Sequence, residues 1–325
     1  MSSLVLRLKV HSLMDENTGD DGVFVKVFDL RPIEGVLLPA LSAGAHIDLA
    51  AGDGWIRQYS LLNDSAETHR YVIAIALEPD GRGGSRYFHE HVKPGDILQA
   101  SVPRCHFALN EDGAHSILIA GGIGITPIWS MAQRLIGLGK SFELHYGARS
   151  ARSAPLLPRI TSAMASAGAR LHTRFEREPD GGFLDILGII AQAPKGSHVY
   201  ACGPSGLLDA YLEACSSLAA DQVHFERFAS VQSAVSNGGF TVELAKTGLT
   251  VDIKAGETIL AALKAAGLSP DHSCAEGLCG ACETKVLDGI PDHRDCVLSE
   301  AERARNQTMM ICCSGARTAK LVLDL

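Results

Sequence analysis

Several things are missing from this 325-residue chain, and each absence removes a class of function. There is no basic stripe: 29 Lys and Arg stand against 37 Asp and Glu, and a formal charge of −8 argues against a nucleic-acid partner. No apolar run reaches the length of a membrane span, since residues 117–128 are short and interrupted by glycine. Met1 to Lys9 lacks the basic-then-apolar layout of a secretory leader and alternates like a strand instead. The 13 histidines show no H-E-x-x-H or paired ligand spacing, and His89 and His91, flanking Glu90, read as surface residues of a helix. No internal repeat or low-complexity tract is visible. With no secretory layout, nine cysteines suggest reduced thiols or metal ligands rather than a disulfide framework. These absences lead to the expectation of a cytoplasmic monomer with no membrane and no nucleic-acid partner.

What is present is a run of thiols. Cys274, Cys279 and Cys282 form a C-x4-C-x2-C loop, and Cys312 follows after 29 intervening residues. That spacing matches the plant-type two-iron, two-sulfur ferredoxin pattern. A structural zinc site usually takes two short ligand pairs, whereas these ligands divide three and one. Gly277 and Gly280 let the loop curl and aim backbone N–H groups at the sulfurs. Cys313 would leave 30 residues after Cys282, so Cys312 is the expected fourth ligand. Cys296 is a further cysteine near the loop, and Cys105 and Cys215 read as small buried hydrophobes.

Upstream the texture changes twice, and the expected architecture is multidomain. Residues 1–108 alternate with a period of two (Leu4, Leu6, Leu8 and Val10; Val23, Val25 and Val27), with further strands expected at 46–49, 56–62 and 71–77. Several short strands with turns between them suggest an antiparallel β-barrel. Residues 109–228 alternate apolar strands (117–120, 142–146, 170–175, 198–202, 222–225) with helices, the rhythm of a parallel α/β sheet. Its first helix has Thr126 as the expected N-cap, Pro127 at the first helical position and Gly139 at the stop. Ile128, Met131, Leu135 and Leu138 share one face of it, as core. Residues 229–239 read as a Ser-, Ala-, Asn- and Gly-rich linker. In 240–325, a hairpin around Lys246-Thr247-Gly248 and a helix over 257–266 precede the cysteine loop, as in a β-grasp ferredoxin of α+β class.

Individual motifs carry chemistry weakly. In Arg57-Gln58-Tyr59-Ser60, Arg57 and Tyr59 share one strand face, which suits an anion and a planar ring, or simply an exposed face. Gly81 to Ser85 runs into a helix over 87–92, an arrangement that suits a phosphate or a plain connecting loop. Ala120-Gly121-Gly122-Ile123-Gly124-Ile125-Thr126-Pro127 lies where doubly wound sheets bind nucleotides. It is not the dinucleotide fingerprint, because Pro127 takes the third glycine's place. Cys202-Gly203-Pro204-Ser205 closes the fourth strand in the same manner.

Taken together and in order, the R-x-Y-S strand, the G-G-x-S loop, the G-G-I-G-I-T-P turn, the C-G-P turn and the E-R-F close resemble the ferredoxin–NADP reductase superfamily. With a C-terminal plant-type ferredoxin, the chain resembles the phthalate dioxygenase reductase and vanillate demethylase reductase group. The resemblance covers essentially the whole chain. It implies an NADH-dependent oxidoreductase that carries FMN and a 2Fe-2S cluster and passes electrons to a terminal oxygenase acting on an aromatic acid or similar small molecule. Other acceptors, a diiron or haem oxygenase, and a non-catalytic redox carrier are the competing expectations.

The resemblance also assigns residues. Arg57, Gln58, Tyr59, Ser60, Ala74, Ile75 and Ala76 would contact the flavin. Gly83, Gly84 and Ser85 would hold the single phosphate of FMN. Gly121, Gly122, Gly124 and Thr126 would face the nicotinamide dinucleotide, with Cys202, Gly203 and Pro204 beside it. Phe228 would stack on the flavin, with Phe225 the weaker candidate. Ser60, Cys202 and Glu226 would be the catalytic set, and Cys274, Cys279, Cys282 and Cys312 the cluster ligands. Glu176-Arg177 stands where NADP-specific relatives place a Ser-Arg pair; a carboxylate there repels a 2′-phosphate and favours NADH, while Arg177 keeps NADPH open.

Overall fold

The computed structural model describes residues 5–18, 23–33, 37–52, 55–79, 81, 83–228, 239–272, 274–278, 280–298 and 300–325. The chain falls into two compact units, Leu4–Glu226 and, with the first three residues, Arg227–Leu325.

The first unit opens with β1 (Leu6–Thr18), β2 (Phe24–Pro32), β3 (His46–Ala51), β4 (Trp55–Ser60), β5 (Tyr71–Ala76), helix α1 (Gly84–Glu90) and β6 (Ile97–Ala100). The six strands form one sheet in the order β4-β3-β6-β1-β2-β5, with antiparallel pairing throughout. Alternation sends Leu8, Val10, Phe28, Leu30, Ile47, Leu49, Ile73 and Ile75 into a common interior, all essentially inaccessible. The sheet curls until its two end strands approach. Among the described residues they meet at the Leu61–Ile73 bridge and the Leu62 N–H to Val72 carbonyl bond, 2.9 Å. Elsewhere β4 pairs with β3 and β5 with β2, so an unpaired edge of each faces the same opening.

Next come β7 (Ser116–Gly121), α2 (Ile125–Leu138), β8 (Phe142–Ala148), α3 (Leu157–Ser166), β9 (Arg170–Phe175), α4 (Ile186–Gln192), β10 (His198–Cys202), α5 (Ser205–Ala214) and β11 (Val223–Glu226). The sheet is fully parallel in the order β11-β10-β7-β8-β9. Helix α2 differs from the sequence expectation at its start. A single 3₁₀ turn over Gly122–Gly124 precedes it, Gly124 is the cap, and Thr126 lies inside the first turn with its hydroxyl donating to the Ile123 carbonyl at 3.1 Å. Pro127 is therefore the third helical residue. Its missing N–H is still one that a first turn leaves unpaired. The stop is as expected: Gly139 caps the helix at φ 64°. Ile128, Met131 and Leu135 are buried, whereas Leu138 is exposed.

The barrel and the parallel sheet do not have separate interiors. One continuous apolar cluster runs from Val25, Val27, Leu62, Val72 and Ala74 through Trp129 and Met131 to Leu118, Leu144 and Tyr200. Polar links follow the same seam: the buried Ser130 hydroxyl donates to the Asn63 carbonyl (3.1 Å), and the Gln133 amide to that of Leu62 (2.7 Å). Asn63, itself buried, accepts the Val72 N–H at 2.9 Å and so holds the barrel closure.

The second unit contains β12 (Phe240–Leu244), β13 (Thr250–Ile253), α6 (Ile259–Ala265), β14 (Glu283–Asp288), β15 (Pro291–Asp292), α7 (Glu300–Arg305), β16 (Thr308–Met310), β17 (Gly315–Ala316) and β18 (Lys320–Leu323). Its main sheet runs β13-β12-β18-β14-β16, with β12 and β18 parallel and the other pairs antiparallel. Helix α6, capped by Thr258 accepting from Ala261 N–H at 3.1 Å, buries Ile259, Leu260 and Leu263 in the core of the unit. The hairpin at 246–248 forms as expected, with Gly248 at φ 70°. Of the linker residues, 229–238 lie outside the described residues.

A core shared in this way predicts that Trp129→Ala destabilises barrel and parallel sheet together, by about 3–5 kcal/mol. Urea unfolding followed by far-ultraviolet and by near-ultraviolet dichroism should give coincident, shifted transitions.

Candidate functional site

The strand β4 sequence sets two faces to work. Arg57 lies along Gly84, at the start of α1, where any Cβ would collide with the arginine side chain. Tyr59 meets Phe88 edge-on, with ring centroids 5.4 Å apart, and burial pushes its phenol well above the usual tyrosine range. On the opposite face, the Gln58 amide donates to Asp48 at 2.9 Å, in a buried network completed by Arg104 at 2.6 Å from the same carboxylate. Ser60 is buried and hydrogen-bonds the carboxyl of Glu226, which arrives from the last residue of β11.

Gly83 holds φ 90°, in the left-handed region, and caps α1 without a side chain. Ser85 Oγ accepts the Glu78 N–H at 3.0 Å, which ties the loop back on itself. Ala74 and Ala76 lie on the end strand β5, Ala74 within the shared core. Ile75 is fully buried, and its carbonyl is met by His89 Nε2 at 2.9 Å. His89 is thus no plain surface residue. It is half-buried, its own carbonyl accepts from Lys26 Nζ at 2.9 Å, and burial holds its imidazole below the ordinary range.

At the carboxyl end of the parallel sheet, two glycine turns abut. A Cβ on Gly124 would run into the Cys202 carbonyl, and one on Gly121 would come within 2.7 Å of Pro204 Cδ. A Cβ on Gly203 would approach Gly121 to 3.1 Å. Gly122 differs: it has φ 53° and open space where a side chain would be. Three glycines therefore permit contact between turns, and the fourth leaves a face clear. Tyr146, buried on β8, braces the turn by directing its hydroxyl at the Gly122 and Pro155 carbonyls, 3.3 and 3.0 Å away. Tyr146 is hard to single out from sequence. Its only signal was a polar tip on the inward side of an apolar strand.

Where β10 and β11 end, Cys202 and Glu226 are register partners. Glu226 as a residue is half-buried, but its carboxyl end is sealed and one oxygen has no hydrogen-bond partner. Desolvation pushes it up to about 8 against the opposing hydrogen bond from Ser60. The Cys202 thiol is also driven up, by burial first and by Glu226 second. Ser60, Cys202 and Glu226, three residues from distant parts of the chain, thus form one cluster. Phe225 is half-buried and packs towards α5, while Phe228 belongs to the second unit and is 42% exposed. Glu176 and Arg177 are exposed, and their N–H groups bond the Ala148 and Arg149 carbonyls at 3.0 and 2.9 Å, on the same sheet end as the glycine turns.

In the second unit Cys274, Cys282 and Cys312 are buried, and the Cys312 sulfur is in hydrogen-bond contact with the other two. Cys279 lies outside the described residues. Gly277, at φ 73°, donates its N–H to Cys312 Sγ at 3.2 Å, and Glu276 N–H points at Cys274 Sγ at 3.3 Å. Convergent thiols with N–H groups aimed at them are a donor set for a soft metal centre, and they fit an iron–sulfur cluster. Cys313 lies against the same loop: its sulfur is in hydrogen-bond contact with Cys312, would meet a Cβ on Gly277, and is 3.8 Å from the Met310 carbonyl and 3.9 Å from Ser314 Oγ. The loop rests on a buried carboxylate that spacing did not reveal. Asp295 accepts the N–H groups of Val297 and Leu298 at 3.1 and 2.8 Å, and the neighbouring Cys296 N–H bonds the Gly277 carbonyl at 2.8 Å.

Comparison with known proteins places this geometry among relatives. Residues 242–317 match the 2Fe-2S iron-sulfur cluster binding domain. The chain is 50% identical over 319 residues, 98% of its length and 97% of the relative's, to phenoxybenzoate dioxygenase subunit beta of Ectopseudomonas oleovorans. It is 46% identical to tetrachlorobenzoquinone reductase of Sphingobium chlorophenolicum, covering 93% of this chain and 94% of the relative. Among solved structures, phthalate dioxygenase reductase, described as a modular structure for electron transfer from pyridine nucleotides to [2Fe-2S], superposes with a TM-score of 0.73. It is 36% identical and covers 98% of both chains.

The raised Glu226 carboxyl predicts a particular pH dependence. A carboxyl whose folded pKa lies above its unfolded value stabilises the fold fully below about 4.5, and that contribution is lost as pH rises through about 8. Urea unfolding across that window should show Glu226→Gln gaining on the unsubstituted protein by up to about 1 kcal/mol per pH unit. Parallel pH profiles would contradict the burial argument.

Proposed function

We propose, for a chain that belongs to the phthalate dioxygenase reductase family, the oxidation of NADH and delivery of the electrons one at a time to the oxygenase component of an aromatic-acid oxygenase system. The observation that carries this reading is the gathering of Ser60, Cys202 and Glu226 beneath the two glycine turns. Bound FMN supplies the conversion between a hydride donor and a one-electron acceptor.

The residues present fit that group. The unpaired edges of β4 and β5 offer backbone donors and acceptors to a flat polar ring, and Tyr59 and Arg57 lie on one face of β4. Gly83, Gly84 and Ser85 hold a short loop against Arg57, a setting for a single phosphate. Gly122 leaves room for the dinucleotide to approach the backbone, and the carboxylate of Glu176 disfavours a 2′-phosphate. Beneath the reacting atoms, Ser60 and Glu226 hold a proton: near pH 7 the Glu226 carboxyl is mostly protonated and can act as a donor. Cys202, a neutral thiol in this setting, adds bulk without charge beside the nicotinamide.

In the ferredoxin unit, Cys274, Cys279, Cys282 and Cys312 would ligate the cluster, and N–H groups from Glu276 and Gly277 would tune it. We assign 1–108 to flavin, 109–228 to NADH and 240–325 to the cluster. Phe228, the last residue of the nucleotide segment, is the candidate flavin-stacking ring.

Replacing Cys279 or Cys312 with Ser should abolish NADH-driven cytochrome c reduction while leaving ferricyanide reduction, which flavin supports directly, within about twofold. Loss of both activities in a folded, flavin-bound variant would refute the order of transfer. A second expectation concerns Gly124→Ala, whose new Cβ would press on the Cys202 carbonyl. It should raise the KM for NADH at least about tenfold without loss of flavin, as read from steady-state kinetics and flavin absorbance. The acceptor itself is tested by turnover with purified oxygenase components against chlorinated quinones. Preference for the quinone would move this chain towards its 46%-identical relative.

A further inference from the structure

One cluster of ligating side chains lies apart from all of this. Glu143 and His145 sit two residues apart on β8, so both point to the same face of the parallel sheet. His172, on the edge strand β9, is the direct register partner of His145. The imidazoles lie parallel at 10°, with centroids 4.6 Å apart. Both turn towards one carboxylate: His145 Nε2 is 3.4 Å from Glu143 Oε1, and His172 Nε2 is 3.8 Å from Oε2.

We propose that Glu143, His145 and His172 form a binding site for a divalent transition-metal ion of the zinc class, clamping the edge strand β9 to β8. One ligand atom from each residue lies within 4.8 Å of the others. A tetrahedral ion with bonds of about 2.0–2.2 Å needs its ligands about 3.4 Å apart, so small rotations suffice. Two imidazoles and one carboxylate are a recognised zinc donor set, with the fourth position left for water.

A second observation argues for a ligand rather than a plain ion pair. His145 is 8% exposed, and its Nε2, directed into the cluster, faces Glu143 Oε1 at 3.4 Å without forming a well-aligned hydrogen bond. A buried ring nitrogen held against a carboxylate with poor alignment is incompletely satisfied, and a metal ion bound between the two would coordinate both. The nearest competing cation is Arg170, whose guanidinium is 3.7 Å from Glu143 Oε2 but 70% exposed and able to swing away. His115 is the other titratable neighbour, and its Nδ1 is engaged with Ser141 Oγ at 2.8 Å. The site lies on the face that carries Ile117 and Ile119, away from the glycine turns, and its exposed member, His172, gives the ion access.

Full-length protein carrying flavin and cluster, in chelator-free buffer, tests the site by equilibrium dialysis against radioactive Zn²⁺. The expected result is one zinc per chain, with unchanged iron and flavin content. His172→Ala should weaken binding at least about tenfold, and Glu143→Gln likewise, with ferricyanide reduction unaltered. Because His172 is half-exposed, its loss should leave folding intact, as circular dichroism will show. Hydrogen exchange supplies an independent reading, since zinc should slow exchange in β9 of the unsubstituted protein and not of His172→Ala. No uptake by about 100 μM free zinc, uptake weakened less than about tenfold by both substitutions, or zinc gained only as iron is lost would overturn the proposal.

Discussion

The contact on which the rest of the molecule depends is that between Gly124 and the backbone of Cys202. Two strand-to-helix turns, after β7 and after β10, come so close that no side chain fits between them. That approach brings Cys202 to the end of the sheet beside Glu226, its partner in register, and leaves Gly122 facing open space. A larger residue at Gly124 would separate the turns, and the polar cluster with Ser60 would lose its geometry. Helix α2 begins at this point and carries Trp129 and Met131 into the barrel. One close contact thus sets the alignment of two glycine turns, a buried acid and the core shared by two sheets.

That shared core makes sense of a carboxyl held protonated near neutral pH. Sealing Glu226 from water costs energy that Ser60 offsets only in part, and the surrounding packing must bear the remainder. A loosely joined pair of domains would hydrate the site and let the carboxyl ionise. The continuous apolar seam, reinforced by Ser130, Gln133 and Asn63, keeps the interior dry. Stability and proton chemistry are here the same constraint.

Much of this was legible in the sequence because it rests on local signals. Period-two alternation marked the barrel strands, the apolar runs marked the parallel sheet, and Gly139 marked the stop of α2. The cysteine spacing announced its chemistry unaided, since a C-x4-C-x2-C run has few other uses. What escaped were features that depend on distant contacts. The start of α2 was misplaced because a 3₁₀ turn moved the cap back to Gly124, making Thr126 an internal residue bonded to Ile123. His89 reads as a surface residue in sequence because nothing nearby tells that Ile75 presents its carbonyl to it. Asp295 and Tyr146 were invisible for the same reason: each braces a loop through partners that only folding brings near. Ser60, Cys202 and Glu226 could be grouped by family resemblance, but their mutual burial had no sequence signature.

The gap between β4 and β5 has one more consequence. A sheet edge with free N–H and C=O groups is a template on which another strand can build. Natural proteins usually hide such edges behind charge, proline or a covering loop, yet the flavin ring proposed above would need these left available. The slot that makes the barrel useful is therefore its hazard during biosynthesis. On that reading an empty slot offers its edge to a neighbour of the same kind, and binding of the ring closes it.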